Sequence, residues 1–337
     1  MGEKCSVVIP AFNAAGFIRR TIDSVLAQTY QDYEVIVVDD GSNDNTAEQV
    51  KGYGAKVRYI YQQNAGGDAA RNAGIVAARG EWIALLDHDD EWLPEKLHLQ
   101  MELLKRHPEL RWCGSNYYKA SFDRRAVATD ISTLRKALGN RAYFENFFAA
   151  LCECRISLAP STVLIRKNVF DEVGLFSSLY CADIDMWLRI AYRFPAIGYL
   201  PEVLAVLHVV AQDSTSTRIR LKAKRDAVQY LVARHLGLAK QQGMLEEFKP
   251  VAKRFLRLQL ITTLYHGFRA ESRLIVSEHR EFFPWYWRVA TYILTTFPKL
   301  TSSIAKAVAY VWYRLGLERE VSRRWISSSR IAENADE

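Results

Sequence analysis

Four short apolar runs constrain the fold of the first hundred residues, because each of them ends in polar or small residues. The runs occupy residues 5–9, 34–38, 57–61 and 82–86. Apolar residues at helical spacing fill residues 15–28, and a segment rich in small residues, 68–79, precedes the fourth run. Strands that alternate with helices predict an α/β fold with a doubly wound, mostly parallel sheet flanked by helices. In such sheets, ligands bind at the carboxyl ends of the strands.

The fourth apolar run ends in a cluster of carboxylates. Asp87, Asp89 and Asp90 follow it directly. Because these charges repel one another, a divalent cation with oxygen ligands is a natural partner for them. A solvated acidic turn before the next helix would carry the same residues. The local sequence leaves both interpretations open.

Polar residues also follow the second and third runs, at the edge where a nucleotide would lie. Asp40 is a suitable acceptor for a base N–H, because an ionised carboxylate only accepts hydrogen bonds. Gly66 and Gly67 permit close backbone approach, and the planar fork of Arg71 suits a phosphate. Taken singly, each cluster also fits a plain strand followed by an acid-capped helix. It is their combination that predicts a nucleotide site.

Length, cysteine usage and charge limit the classes of protein that fit this sequence. A chain of 337 residues predicts one main domain with an appendage. Its five cysteines lack zinc-site spacing and no secretory signal is visible, so a cytoplasmic setting is expected. Residues 217–337 contain 22 Lys and Arg against 11 Asp and Glu, a net charge of +11, whereas residues 1–216 carry −4. This asymmetry predicts an acidic partner for the tail, either nucleic acid or an anionic membrane surface.

The order and spacing of several segments resemble one enzyme family. The segments are SVVIPAFNAAGFI, SVLAQTY, DYEVIVVDDGSNDNT, NAGGDAARNAGI, ARGEWIALLDHDD and WLPEKL. They are similar to segments of the inverting family 2 glycosyltransferases, which have the GT-A fold. The resemblance is strong over residues 4–105 and weaker up to residue 216.

The resemblance implies how a nucleotide-sugar donor, usually a UDP-sugar, would be held. The acidic cluster matches the family's Asp-x-Asp region, which holds Mg²⁺ or Mn²⁺ against the diphosphate and touches the ribose. Asp89 and Asp90 are therefore the expected metal ligands, and Asp40 is expected to read the base. The other expected donor contacts are Pro10, Ala11, Phe12, Gly67, Arg71, Asp87 and Asp89.

The same resemblance implies a catalytic base at Asp183. The family has Glu-Asp, an aromatic residue and Asp-Leu-Trp-Leu-Arg there, and Asp183 aligns with the second acid. A carboxylate in that position takes the proton of the acceptor hydroxyl as its oxygen attacks the anomeric carbon. Asp185 is the competing candidate, although an acid at a helix start also complements the helix dipole. The chain departs from the family at Ala182, where Glu is usual, and at His208 and Val210, where Arg and His are usual.

The basic tail is expected to form amphipathic helices over residues 218–238, 244–265, 285–297 and 301–315. Neither of the last two is apolar enough to span a bilayer, which takes ~20 apolar residues. Aromatic and basic residues together suit a helix lying in a membrane interface. Packing on the catalytic domain or on a second subunit is the alternative. Nucleic-acid binding is disfavoured, because no motif for it accompanies the charge.

The sequence thus predicts a nucleotide-sugar-binding half at residues 1–110, an acceptor-binding half of the same domain at 111–216 and a basic helical region at 217–337. The expected activity is inverting, metal-dependent transfer of a sugar from a nucleotide diphosphate sugar to a saccharide or lipid-linked acceptor, on the cytoplasmic side of a membrane. The departures at Ala182 and Val210 keep a non-catalytic donor-binding or scaffold protein as the alternative. A nucleotidyltransferase is disfavoured, because no glycine-rich, lysine-bearing phosphate loop follows the first strand. A homo-oligomer is compatible with the sequence.

Overall fold

The computed structural model describes residues 4–121, 124–154, 156–179, 181–208, 214–265 and 268–296. Within these ranges the strands are β1 (Cys5–Ala11), β2 (Tyr33–Asp39), β3 (Arg58–Tyr61), β4 (Trp82–Leu85), β5 (Glu91–Trp92), β6 (Trp112–Ser121), β7 (Arg124–Val127), β8 (Tyr143–Phe144), β9 (Leu164–Arg166) and β10 (Ile197–His208). The α-helices are α1 (Ile18–Leu26), α2 (Thr46–Lys51), α3 (Gly67–Ala77), α4 (Lys96–Arg106), α5 (Ile131–Leu138), α6 (Phe147–Ala149), α7 (Val169–Val173), α8 (Ala182–Arg193), α9 (Ser214–Gln241), α10 (Leu245–Tyr265), α11 (Arg269–Glu278) and α12 (Trp285–Thr296).

The chain forms two compact units. The first comprises Met1–Ala227 and Leu238–Glu247, and the second comprises Val228–Gly237 and Phe248–Glu337. The first unit contains the sheet, and the second is helical in its described part. None of the helices in the described residues is both long enough and apolar enough to cross a membrane.

The sheet of the first unit has the strand order β3-β2-β1-β4-β9-β6-β10-β5, with β7 added to β6 and β8 to β10. Strands β1 to β4 are parallel to one another, as the alternating pattern predicts. The second half is mixed, because β9 runs antiparallel to both β4 and β6 while β10 runs parallel to β6. The predicted α/β fold is confirmed, and its parallel half carries the polar strand ends.

Strands β1, β2 and β4 are largely buried, which explains their continuous apolar runs, whereas β3 at the edge of the sheet is partly exposed. Every residue of β1 is buried, and so are the last five of β2. Helix α3 packs closely on this layer, because a methyl group added to Gly74 would lie 2.3 Å from Cγ1 of Val8. Only glycine permits this approach, which fixes the position of the helix that carries Gly67 and Arg71.

The structure differs from the sequence-based boundaries in the second half of the sheet. Residues 160–166 are predicted as one strand, but Pro160–Thr162 is a 3-10 turn and only Leu164–Arg166 is extended. The turn is stabilised locally, since the hydroxyl of Thr162 donates to the carbonyl of Ala159 at 2.8 Å. Helix α8 begins at Ala182 rather than near residue 186, so Asp183 lies in its first turn.

The tail helices α9, α10 and α12 begin and end within four residues of the predicted bounds, and α11 is an addition that the periodicity did not indicate. Apolar side chains of α9, α10 and α11 are fully buried, among them Val232, Leu256 and Ile275. The further helix predicted over residues 301–315 lies outside the described residues.

Candidate active site

The loops that follow β1 and β2 are bound to each other at the carboxyl edge of the sheet. Asn13 has a left-handed backbone with φ of 47°. Its N–H donates to Oγ of Ser42 at 2.9 Å, and its Oδ1 accepts the N–H of Asn43 at 2.9 Å. Pro10 and Ala11 are buried within β1, whereas the ring of Phe12 is 42% exposed. Of the three residues expected along the base, Phe12 therefore offers its side chain, and the other two offer backbone.

Asp40 is buried beneath the loop that leads into α3. Its Oδ1 accepts from Nε2 of Gln62 at 2.7 Å and from the N–H of Ala65 at 2.9 Å, and its Oδ2 accepts the N–H of Gly66 at 2.8 Å. A carboxylate offers about four acceptor positions, so these bonds leave room on Oδ2 for one further donor. Asp40 is 2% exposed, and its three protein donors make it shape the loop.

Arg71 connects α3 to the acidic cluster. Nη1 donates to Oδ1 of Asp68 at 2.5 Å, and Nη2 donates to Oδ1 of Asp87 at 2.8 Å. Burial alone would lower the pKa of Arg71, but the paired carboxylates outweigh it and raise the pKa. Arg71 is therefore a fixed positive charge beneath the acids. At the start of the same helix, a methyl group added to Gly67 would meet nothing within 4 Å, so the space above this helix end is open.

The acids after β4 differ sharply in their surroundings. Asp87 and Asp89 are half-buried, whereas Asp90 is only 4% exposed. Oδ2 of Asp90 accepts from the hydroxyl of Ser161 at 2.5 Å, and Oδ1 accepts the N–H of His208 at 3.1 Å. Burial, aided by the negative charges of Asp87 and Asp89, raises the pKa of Asp90 to about 8. Asp90 is thus turned into the protein, and Asp89 is the acid of this pair that faces outward.

The carboxylates at this edge suit a metal ion whose remaining ligands come from the substrate. Among the described residues, no group of three or more His, Cys, Asp or Glu is placed to hold a metal ion. Mg²⁺ commonly binds through one or two carboxylates together with substrate phosphates and water. The carboxylate of Asp89 has no hydrogen bond to any described residue, and Oδ2 of Asp87 is not used by Arg71. These two acids fit such a cation, while both oxygens of Asp90 already accept from protein donors.

Asp183 interacts with this acidic cluster although it lies far along the chain from the other acids. It is half-buried in the first turn of α8. Burial raises the pKa of Asp183, the N–H of Ile184 opposes the rise, and the negative charge of Asp87 adds to it. Asp185 is fully buried instead, and its Oδ2 accepts from Nε of Arg189 at 2.8 Å. Of the two acids weighed as the base, Asp183 is the one that interacts with Asp87.

A pair of hydrogen bonds ties α3 to the segment that precedes α8. Nδ2 of Asn72 donates to the carbonyl of Phe176 at 2.8 Å, and the N–H of Phe176 donates to Oδ1 of Asn72 at 2.9 Å. The ring of Phe176 lies 5.2 Å from the guanidinium carbon of Arg71 and 6.0 Å from the ring of Trp187 in α8. These contacts hold α3, which carries Arg71, against the segment that leads into α8, which carries Asp183. No residue pattern in the sequence indicates them.

His208, at the end of β10, contacts other residues of the protein through both its ring and its backbone. A ring nitrogen, Nε2, lies 2.6 Å from Oε1 of Glu91, which also pairs with Nε of Arg20 at 3.1 Å. The backbone N–H of His208 supports Asp90, as described above. Val210, the other departure from the family pattern, lies outside the described residues.

The chain is similar to known glycosyltransferases in sequence and in fold. A sequence model for glycosyl transferase family 2 matches residues 6–173. The chain is 32% identical over 220 residues to an uncharacterized glycosyltransferase, RP339, of Rickettsia prowazekii, covering 64% of this chain and 66% of the relative. It is 31% identical over 229 residues to the uncharacterized glycosyltransferase RT0329 of Rickettsia typhi, covering 66% and 69%. The chain spans about two thirds of the length of both relatives.

These findings define a GT-A-like glycosyltransferase domain, and the chain belongs to glycosyltransferase family 2. The fold is also shared by a solved structure of TarS residues 1–349 from S. aureus in complex with UDP-GlcNAc. That structure superposes with a TM-score of 0.55 at 18% sequence identity, covering 82% of this chain and 92% of the other.

Proposed function

We propose that this protein is an inverting, metal-dependent glycosyltransferase that uses a UDP-sugar as its donor and a saccharide or lipid-linked hydroxyl as its acceptor. The observation that carries the proposal is the electrostatic cluster in which Asp183 of α8 interacts with Asp87 and Arg71 at the carboxyl edge of the sheet. A UDP-sugar is favoured because the TarS structure of the same fold contains UDP-GlcNAc.

In this proposal, residues 1–110 hold the donor and residues 111–216 present the acceptor. The remaining acceptor position of Asp40 takes a base N–H, Phe12 lies along the base, and the diphosphate lies above Gly67. Asp89 and Asp87 would hold Mg²⁺ or Mn²⁺, which supplies positive charge to the departing diphosphate. Asp90 supports the turn that carries these two acids through its hydrogen bonds from Ser161 and His208.

The transfer step follows from the position of the base. Asp183 accepts the proton of the acceptor hydroxyl while that oxygen bonds to the anomeric carbon, and the bond from that carbon to the diphosphate oxygen breaks. UDP leaves with the electron pair of this bond. Attack from the side opposite UDP inverts the anomeric centre. Burial raises the pKa of Asp183, which makes it a better proton acceptor than an exposed carboxylate.

The experiment compares the parent chain with Asp183→Asn, using release of UDP from a panel of UDP-sugars with Mn²⁺ present. Asp183→Asn should lose turnover by about 100-fold or more while donor affinity stays within about twofold, because a base acts mainly in the transition state. Asp171→Asn, an exposed acid of α7, is the matched control and should keep full turnover.

The outcomes separate the proposal from its rival. Turnover by Asp183→Asn at the parent rate would refute the assigned base. Donor binding without turnover by the parent chain, for every sugar and acceptor tried, would favour the non-catalytic scaffold that Ala182 keeps open. Turnover that survives removal of divalent cations by a chelator would refute metal dependence.

A further inference from the structure

Helix α12 is amphipathic, but its apolar side faces solvent. The exposed fractions of the side chains on this side range from 40% to 68%, and the residues are Trp285, Tyr286, Val289, Tyr292 and Ile293. At 3.6 residues per turn these residues cover an arc of about 120°, the width of stripe that a globular helix normally buries. We call this set the apolar face of α12.

The side of the helix away from this face packs inward. Thr291 and Thr295 are 2% and 3% exposed, and Trp287 and Leu294 on the same side are half-buried. Oγ1 of Thr295 accepts from Nε of Arg273 in α11 at 2.8 Å. Because this bond holds Thr295 inward, α12 cannot bury its apolar face by rotating about its axis without losing the bond. The orientation is therefore set by the fold.

The charge on α12 indicates the chemistry of its partner. The helix contains no Asp or Glu, and its one charged residue is Arg288. In the sequence, residues 297–317 add Lys299, Lys306 and Arg314 and no acid. Arg288 is exposed on α12 beside the apolar face. A second copy of the chain docked on this face by a two-fold axis would bring like charges together. Nucleic acid is disfavoured, since exposed aliphatic side chains such as Val289 and Ile293 contribute nothing to phosphate contact.

We propose that the apolar face of α12 lies in the interface of an anionic lipid bilayer, with its aliphatic side chains at the acyl boundary and Trp285, Tyr286 and Tyr292 at the headgroup level. Tryptophan and tyrosine prefer that level, and basic residues add attraction to anionic lipid. The twelve residues of α12 span about 18 Å, which is too short for a hydrocarbon core of about 30 Å. The helix therefore lies along the membrane and does not cross it. This inference goes beyond the proposed catalytic function, because it concerns where the protein binds and not what it transfers.

The test is co-sedimentation of the full chain, without donor, with vesicles of phosphatidylcholine and phosphatidylglycerol. The double variant Trp285→Ser, Tyr292→Ser should bind these vesicles about tenfold or more weakly than the parent. Arg288→Glu should weaken binding severalfold on anionic vesicles only. Val76→Ser on α3 is the matched control, because Val76 and Trp285 are both 68% exposed, and this variant should bind as the parent does. Circular dichroism of each variant should match that of the parent, since the replaced side chains are exposed.

Several results would overturn the inference. Failure of the parent chain to sediment with anionic vesicles at low salt would overturn it, and so would unchanged binding by the double variant. An equal loss in Val76→Ser would show that the effect is not specific to α12. Sedimentation velocity in the absence of lipid tests whether a second copy of the chain binds this face instead. An oligomer that forms in the parent and is lost in the double variant would make the apolar face a protein interface. Binding to a DNA duplex with no binding to vesicles would assign the basic tail to nucleic acid.

Discussion

The hydroxyl of Ser161 donates to Oδ2 of Asp90 at 2.5 Å and accepts the backbone N–H of Asp87 at 3.1 Å. One buried side chain, on the turn before β9, thus holds both ends of the acidic cluster. The carbonyl of Ser161 in turn accepts from Nε1 of Trp92 at 2.7 Å, so the turn itself is anchored to β5. The geometry of the acids therefore depends on a residue that lies about 70 positions further along the chain.

Ser161→Ala should weaken the site and the fold together. Asp90 loses a donor that lowers its pKa, and a buried group left without its partner costs about 1–3 kcal/mol. We expect the free energy of unfolding to fall by that amount and metal-dependent donor affinity to fall about tenfold. Ser115→Ala is the matched control, because Ser115 is fully buried and its hydroxyl has no hydrogen bond to any described residue. Urea unfolding and donor titration with Mn²⁺ measure both effects, and equal results for the two variants would contradict the role of Ser161.

Gly67→Ala should separate donor binding from stability. An added methyl group meets nothing within 4 Å in the free protein, and alanine favours the helical backbone over glycine by up to about 1 kcal/mol. The free energy of unfolding should therefore stay the same or rise slightly. Donor affinity should fall about tenfold if the diphosphate approaches the start of α3. Gly237→Ala in α9 also has open space around its added methyl, and it should leave donor affinity unchanged. Calorimetric titration with UDP-sugar gives the comparison, and unaltered affinity in Gly67→Ala would move the diphosphate elsewhere.

Arg71→Gln should destabilise the fold in a pH-dependent way. Breaking a buried ion pair costs about 3–5 kcal/mol. Burial raises the pKa of Asp68 and Asp183 while Arg71 opposes that rise, so both pKa values should rise further in the variant. An acid whose pKa is raised by folding loses stability as pH rises above its unfolded value, which is about 4. The penalty should therefore be larger at about pH 7 than at about pH 5.

Arg106→Gln is the control for this comparison, because Arg106 forms an exposed ion pair with Glu102. Exposed pairs contribute about 0–1 kcal/mol, so its loss should be small at both pH values. Urea unfolding of the three proteins at each pH measures the difference. A penalty for Arg71→Gln that does not change with pH would show that Arg71 does not stabilise these acids.

Because Lys96 is buried, the free energy of unfolding depends on pH above about pH 7. Its side chain is fully buried, and Nζ donates to Oε1 of Gln100 at 2.7 Å and lies 3.9 Å from the ring centre of Trp92. Burial lowers the pKa of Lys96 to about 7, against an unfolded value of about 10.4. Between these two values the unfolded chain binds more protons than the folded one, so stability rises with pH, by up to about 1.4 kcal/mol per pH unit. Below about pH 7 both states are protonated and this gain is absent.

Lys96→Met removes this titration while keeping the length of the side chain. From about pH 7 to about pH 9, the free energy of unfolding of the parent should therefore rise relative to that of Lys96→Met. Below pH 7 the difference between the two proteins should stay constant. Burial raises the pKa of Cys5 and of Cys113 to about 12, and the charge of Lys96 opposes that rise in the parent, so the comparison stops at about pH 9, where the folded thiols of both proteins are still protonated. Lys105→Met, an exposed lysine of the same helix, should give a difference that is independent of pH. A level difference for Lys96→Met as well would contradict the lowered pKa.

The parallel half of the sheet could be predicted from the sequence because its signal is local. Buried strands give continuous apolar runs, and the runs ending at Ile9, Val38 and Leu86 agree with β1, β2 and β4 within two residues. The run ending at Tyr61 also agrees with β3, although that edge strand is partly exposed. The carboxyl-edge rule then brings residues after different strands to one place, as the Arg71 to Asp87 ion pair confirms.

The support of the site could not be predicted, because its contacts join residues far apart in sequence. Ser161 follows Pro160 in a segment whose apolar residues suggested a longer strand, and nothing local pairs it with Asp90. Helical spacing likewise predicts an amphipathic helix over residues 285–297, and the usual expectation is that the apolar side of such a helix is buried. In α12 that side is exposed instead, because Arg273 of another helix binds Thr295 on the buried side.

The reciprocal hydrogen bonds between Asn72 and Phe176 join the donor-side helix to the approach to α8 without involving residues 112–158. The described part of that segment contains β6 to β8, and it reaches the joint through a ring contact, since Trp112 stacks on Trp187 with ring centres 6.3 Å apart. Under the proposed function, in which this segment presents the acceptor, acceptor choice and base placement therefore rest on largely separate contacts. The segment beyond Trp112 is then the part that would change between relatives that extend different sugars, while Asp183 keeps its place relative to the donor.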